Sequence, residues 1–412
     1  MFNLRMLKLS DLLLWIASGA LIVISLFAIF SSSYSLLVKV HLDPFLYVKR
    51  QLISFLIGSV GLAIFAYLDY KRLKRLSIFF YLGMLTLLAL ITFGGGRGAS
   101  AQRWLAVGGF SFQPSELAKI VIVICLAAFF SAKNKVETLT DAVALLALVG
   151  IPFLLIFKQP DLGTALVFIF ILIGMLTISG SSSRLLILLT TPMISVMLRP
   201  FLFMWFFYLL LIVLALFLSR SSLWDWFLIL GLNIGVGIAM PYIWDMLKTY
   251  QQQRILTFLN PGADPYGAGY HSLQSQIAIG SGGVFGKGFL HGSQTQLNFI
   301  PEQHSDFIFS AIGEEFGFIG TSLVLGLFAL FIWRAMEIAK GASDYFGSLL
   351  AYGIAVMTAF HVFANVGMTL GLLPVVGMPL PFVSYGGSSL IMNMISIGIL
   401  QSISMRRQKL IF

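Results

Sequence analysis

An aspartate at position 306 follows the string Pro301-Glu302-Gln303-His304-Ser305 and precedes an apolar run that begins Phe307-Ile308-Phe309. A carboxylate at the mouth of a helix can act as a general base and take a proton from a sugar or water hydroxyl. The competing role is structural, since an acid in the first helical turn complements the helix dipole and Ser305 is a suitable N-cap. Glu314 and Glu315 follow in the same run, about 12 Å deeper at 1.5 Å per residue. Adjacent acids at that depth need partners or a wet cavity. Gly313 and Gly317 flank them at the GxxxG spacing that permits close helix contact.

A second polar group reads Gln113-Pro114-Ser115-Glu116-Leu117-Ala118-Lys119. Pro114 suits a first helical turn, and Glu116 and Lys119 share a helix face and can pair. Arg97 and Arg103 precede this segment, and Gln159-Pro160-Asp161-Leu162-Gly163-Thr164 opens a later apolar run. If Arg97, Arg103, Glu116, Lys119 and Asp161 converge, they form a cluster able to hold a pyrophosphate, whose charge must be neutralised as it leaves. The string Gly280-Ser281-Gly282-Gly283-Val284-Phe285-Gly286-Lys287-Gly288 resembles a phosphate-cradling loop, but Ser281 and Gly288 break the Walker spacing. Lys287 on a flexible backbone could still contact a lipid-linked phosphate, beside the plainer reading of a Gly-rich turn. His361 and Asn365, four apart, suit a polar contact between helices. His271, His291 and His304 lack metal-motif spacing; no metal is called for, although a divalent cation bridging Asp306 or Asp161 to a pyrophosphate is compatible with these ligands. No GxSxG elbow, HExxH string or Cys/His pair is present.

The elements that must position these residues are apolar helices. Of 412 residues, 58% are hydrophobic and 10% charged, and mean hydropathy is +0.95, which excludes a soluble enzyme. The formal charge of +10 is spread in short basic groups between apolar runs, a pattern that suits lipid headgroups and membrane orientation better than nucleic acid. Cys125 is the single cysteine, so no intrachain disulfide forms. Apolar runs lie at 12–30, 51–68, 76–93, 115–132, 141–157, 163–179, 201–219, 224–243, 306–333, 346–370 and 385–404. The stretch Leu185–Leu198, interrupted by Pro192, is a twelfth span or a re-entrant piece. Twelve crossings place Arg5, Lys71, Lys133, Arg184, Arg220, Arg334, Lys340 and Arg406 on one side, as the positive-inside rule requires. The expectation is therefore an all-α polytopic membrane protein of about 12 transmembrane helices, forming one integral membrane domain over 1–412. Its unusual outer loops are 94–114, 246–305 and 372–384, and the long middle one carries function.

Taken together these strings resemble one family, the SEDS proteins of shape, elongation, division and sporulation. The resemblance is carried by Ala101-Gln102-Arg103-Trp104-Leu105, 112–119, 159–164, Gly267-Ala268-Gly269-Tyr270-His271, 274–283, Gly286-Lys287-Gly288, 301–306 and Pro379-Leu380-Pro381-Phe382-Val383-Ser384-Tyr385-Gly386-Gly387-Ser388, in the family's order. The strings 294–299 and 373–379 are similar to the elongation, RodA-like branch, with the division, FtsW-like branch the nearest competitor. The chain departs from the family's ten spans over 181–245, where two spans are expected to be inserted. The resemblance implies a glycosyltransferase that polymerises β-1,4 glycan from lipid II with inversion, in the bacterial cytoplasmic membrane with its active face outward. It implies Asp306 as the essential acid and general base, and Arg103, Glu116, Lys119, Asp161 and Lys287 around the substrate. It also implies a class B penicillin-binding protein as partner. Two other functions compete. A lipid II flippase would need polar residues continuing to the inner leaflet, whereas Val121–Phe130 and Val167–Leu176 are almost wholly apolar. A noncatalytic scaffold would leave Asp306 unexplained.

Overall fold

The computed structural model describes residues 9–94, 104–107, 110–133, 136, 138–218, 222–260, 267 and 269–407. Arg97 and Arg103 lie outside the described residues, as do Arg5, Lys8, Lys135, Arg220 and Lys409. In chain order the elements are α1 (Leu12–Lys39), α2 (Leu46–Tyr67), α3 (Lys71–Gly94), β1 (Leu105–Val107), β2 (Phe110–Phe112), α4 (Pro114–Ala132), α5 (Leu139–Lys158) and α6 (Leu162–Ile178). They continue with α7 (Ser183–Leu198), α8 (Leu202–Leu218), α9 (Leu223–Met246), α10 (Thr249–Leu259), α11 (Tyr270–Ser281), α12 (Ser293–Gln296), α13 (Ile308–Lys340), α14 (Tyr345–Thr369) and α15 (Gly387–Met405). Nine of these helices are long and apolar enough to cross a membrane, and α6, α7 and α8 are shorter apolar helices, which together match the expected twelve. The run at 185–198 is a helix, with Pro192 inside it.

Polar side chains start many of these helices. Asp11 accepts from the Leu14 amide at 3.0 Å, Asp344 from the Gly347 amide at 2.8 Å, and Ser222 and Asp225 form a reciprocal capping box on α9. Each satisfies amides that a helix otherwise leaves unmet. The main core surrounds α4, α6, α14 and α15, whose inward residues are almost fully buried. The helices α7, α8 and α9 have a separate small core of Leu188, Ile212, Leu216 and Ile229. It is stitched by Trp205 Nε1 donating to Ser195 Oγ at 2.7 Å and Arg199 Nε to the Gly237 carbonyl at 2.9 Å. Phe203 and Leu223, each 85% exposed, face outward from this group. That division falls inside the 181–245 segment where inserted spans were expected.

Two features add to the sequence expectation. β1 and β2 pair antiparallel, with Leu105 opposite Phe112, and this small hairpin is seated on α15 through Ser388 Oγ, which donates to the Ser111 carbonyl at 3.2 Å. The long loop 246–305 also folds into α10, α11 and α12. Among these, α11 is tied to the membrane helices by Ser275, whose hydroxyl lies 2.6 Å from both Ser310 Oγ and the Thr369 carbonyl.

Candidate active site

The starts of α2, α4, α6 and α15 and the segments 302–306 and 377–387 enclose a cavity of about 580 Å³. Asp306, Glu116 and Asp161 line it, joined by Arg50, Trp104, Gln113, Thr164, Glu302, His304 and Tyr385. Three acids read from separate strings thus share one space. Asp306 sits in a turn before α13, which begins at Ile308 with Phe307 as N-cap and no side-chain cap. The capping reading is therefore corrected: Ser305 Oγ turns back to the Glu302 carbonyl at 3.2 Å. Asn365 holds the aspartate's backbone, its Nδ2 donating to the carbonyls of Asp306 at 2.8 Å and Met378 at 2.7 Å. A Cβ added to Gly377, where φ is +69°, would stand 3.1 Å from Asp306 Oδ2 and 3.9 Å from Arg254 Nη1. Glycine is needed there for the backbone turn and for the carboxylate's room.

The pairing of Glu116 with Lys119 is present, at 2.8 Å, with both side chains buried. Lys119 Nζ also lies 2.9 Å from His361 Nε2. Because His361 Nδ1 faces the Met357 carbonyl at 2.8 Å, Nδ1 is the donor and Nε2 the acceptor of a Lys119 proton. Lys119 is thus enclosed by its partners and is absent from the cavity wall, while Glu116 reaches it. The lysine acts on the cavity through the carboxylate it holds. Asp161 caps α6, its Oδ1 accepting from the Thr164 amide at 3.2 Å and its Oδ2 from the Thr164 hydroxyl at 3.0 Å and Gln113 Nε2 at 3.2 Å.

The model of the cell cycle protein family that groups FtsW, RodA and SpoVE matches residues 11–208 and 204–409. The chain belongs to this family. Peptidoglycan glycosyltransferase MrdB of Escherichia coli K12 is 36% identical over 88% of this chain and 86% of its own length. Peptidoglycan glycosyltransferase RodA of Treponema pallidum is 35% identical over 96% of this chain and 98% of its own. A solved chain from a study of how a peptidoglycan synthase complex coordinates polymerization and crosslinking covers 97% of this chain and 99% of its own, with a TM-score of 0.72 and 27% identity.

In this SEDS-family chain Lys287 is placed apart from the cavity. Its ammonium meets Glu314 Oε1 and Ser293 Oγ, at 2.8 and 2.7 Å. Glu314 is fully buried and accepts in addition from Ser293 Oγ, the amides of Gln294 and Thr295, and Thr295 Oγ1. Glu315 accepts from Ser31 Oγ at 2.5 Å and Gln296 Nε2 at 3.3 Å. The glycines around Lys287 serve the same join. At Gly317 (φ 63°, ψ −157°) α13 breaks, and the loop backbone repairs it. The Lys287 and Gly288 amides donate to the Glu314 and Glu315 carbonyls, each at 3.0 Å, while the Phe318 and Ile319 amides donate to Gly283 and Val284 at 2.9 and 3.1 Å. A Cβ on Gly286 would lie 2.1 Å from the Glu315 carbonyl oxygen. A broken helix at membrane depth survives only when its freed polar groups are met in this way.

Sequence reasoning overlooked Arg50, which lines the cavity as an exposed cation, and the ring stack at its edge. His304 lies 4.6 Å from Tyr47, nearly parallel, and 5.5 Å from Tyr385. Burial pushes the His304 imidazole below its ordinary value of 6.5, with Glu302 opposing the shift. Glu302 and His304, two apart, were visible in the string; the place of Tyr47 beside them was not. Among the described residues no group of three or more His, Cys, Asp or Glu side chains is arranged to hold a metal ion. Asp306 and Glu302 share one segment, while Glu116 and Asp161 stand on α4 and before α6 and are held by protein partners.

Proposed function

We propose that this chain is a peptidoglycan glycosyltransferase that polymerises glycan from lipid II at the outer face of the bacterial cytoplasmic membrane. The observation that carries the reading is the gathering of Asp306, Glu116 and Asp161 around one outward cavity in a chain of this family. Asp306 takes the proton of the acceptor's 4-hydroxyl as that oxygen attacks the donor's anomeric carbon, and the pyrophosphate departs from the opposite face with inversion. Arg50 and, by expectation, Arg103 offset the leaving charge. Glu116, held by Lys119, and Asp161 orient hydroxyl or amide groups of the sugars as acceptors. Lys287 acts indirectly, by securing Glu314 and the loop joined to α13. The strings 294–299 and 373–379 favour elongation over division, which depletion tests: loss of rod shape supports it and filaments of normal width count against it.

A flippase reading loses its best candidates, because Glu314, Glu315 and Lys119 are occupied by internal partners. The inner parts of α4 and α6 offer no polar path either; Val121, Ile122, Leu126, Phe168, Ile171 and Met175 are all buried apolar residues. The resemblance to a chain from a synthase complex supports a class B penicillin-binding protein as partner. The test combines the purified protein, that partner, fluorescent lipid II and a moenomycin block on other polymerases. Polymer from wild type and none from Asp306→Ala is expected; equal polymer from both overturns the assignment of Asp306.

A further inference from the structure

His361 and Asn365 read from the sequence as a polar contact between helices, and the structure ties each of them to an acid of the outer cavity. Both lie on α14, four residues apart and so on one face, about 6 Å from each other along the axis. They are 5% and 0% exposed. His361 Nε2 receives the Lys119 ammonium at 2.9 Å, and that ammonium holds Glu116 at 2.8 Å. One turn on, Asn365 Nδ2 donates to the carbonyls of Asp306 at 2.8 Å and Met378 at 2.7 Å. Thr369 continues the same face: its carbonyl accepts from Ser275 Oγ at 2.6 Å, and that hydroxyl lies 2.6 Å from Ser310 Oγ of α13.

One stripe of a single helix thus holds two carboxylates that come from distant parts of the chain. Neither His361 nor Asn365 lines the cavity, so both act from behind the wall, through protein groups. The carbonyls that Asn365 joins belong to the segment carrying Asp306 and to the segment whose Gly377 faces its carboxylate. A continuous helix is a stiff spacer, because its own backbone hydrogen bonds fix the rise between the two residues. Close packing backs that spacing: a Cβ on Gly353 of α14 would lie 2.6 Å from Val123 Cγ1 of α4 and 2.9 Å from Met175 Sδ of α6.

We propose that His361 and Asn365 are positioning residues, and that α14 sets the separation of Asp306 from Glu116, so that the base meets the acceptor hydroxyl while Glu116 holds the sugar. This rests on the glycosyltransferase reading and adds to it the residues that fix the geometry of the step. Catalytic groups must be held within about half an ångström of their working positions. Loosening either tie leaves the substrate contacts in place and misplaces the reacting groups, so the loss falls on kcat and spares KM.

The test measures kcat and KM for fluorescent lipid II with the full-length protein and its penicillin-binding partner, beside thermal unfolding of each variant. Asn365→Ala should lower kcat about tenfold to a hundredfold and leave KM within about twofold. His361→Phe, which releases Lys119 from the helix but leaves its ion pair, should lower kcat less. His361→Gln, whose amide oxygen can accept from Lys119, should restore it. Thr358→Val, buried in α14 with its hydroxyl bonded to the Ile354 carbonyl of the same helix, should keep both constants. A folded Asn365→Ala with the wild-type kcat, or one that raises KM alone, overturns the positioning role. So does a Thr358→Val that loses as much kcat as Asn365→Ala, since helix packing would then account for both. Should Asn365→Ala not fold, the two His361 variants decide, and equal kcat in them overturns the inference. Asp306→Asn separates this from failure of the underlying reading. Full polymerisation by that variant removes the reading itself, whereas its loss beside an unimpaired Asn365→Ala removes the positioning inference alone.

Discussion

Segments 302–306 and 314–315 lie at the two ends of one short stretch, and each carries acids, yet they are built to opposite purposes. Asp306 and Glu302 face a cavity of about 580 Å³, and Asp306 is steadied through its backbone by Asn365. Glu314, fully buried, is surrounded by Lys287, Ser293, Gln294 and Thr295. Depth in the membrane is thus a poor guide to function here. The carboxylate proposed to react lines an open cavity, whereas the structural one is fully buried among donors from the chain itself.

That contrast predicts two distinct failures. Asp306→Asn keeps the shape and removes the base, so polymerisation should fall about 10²- to 10⁴-fold with an unchanged melting temperature. A variant that polymerises normally would erase the distinction from the catalytic side. Glu314→Ala should do the reverse, leaving Lys287 and several buried donors without an acceptor. A destabilisation of about 3–5 kcal/mol is expected, read by thermal unfolding in detergent, with Glu314→Gln milder because it keeps one acceptor oxygen. If Glu314→Ala unfolds like wild type and loses only activity, the acid belongs with Asp306 after all.

Half of this contrast was legible before the fold was known. Apolar runs of about twenty residues announce helices by composition, so the spans were placed, with ends differing by up to nine residues where polar residues extend the helix, as in α1. The Glu116–Lys119 pair follows from helical spacing alone. The partners of Glu314 do not, because they come from a loop some twenty residues away that reaches it only when α13 breaks at Gly317. The same break explains why the glycines near Lys287 suggested a phosphate loop: close backbone contact and anion binding both select glycine. Arg50 and Tyr47 were passed over for a different reason. They sit at the start of an ordinary apolar helix, and only tertiary packing turns that end toward the cavity.

The Glu116–Lys119 pair lies between the two extremes, with one member at the cavity and the other behind it. Lys119→Met and Glu116→Gln should each destabilise the protein, since each strands a buried group. The double variant should cost less than their sum, with a coupling of about 0.5–3 kcal/mol in a cycle of melting measurements. Strict additivity would mean that the pair does not act as a unit, and Lys119 would have to be assigned a contact of its own with the substrate.

The smallest expected effect sharpens the boundary of the reacting segment. His304 stacks on Tyr47 and meets Tyr385 at a tilt, and burial lowers its pKa from the ordinary 6.5. The unfolded chain therefore takes up the proton first as pH falls. Stability from this group is fully present above 6.5 and declines below it, until pH passes the lowered folded value, after which the loss levels off. Replacing the imidazole by an amide in His304→Gln should flatten that decline while leaving the neutral-pH melting temperature lower by the lost stacking, about 0.5–1.5 kcal/mol. A wild-type profile with no acid limb would mean that the ring is solvated in solution, and that the wall beside Asp306 is looser than its packing against the two tyrosines implies.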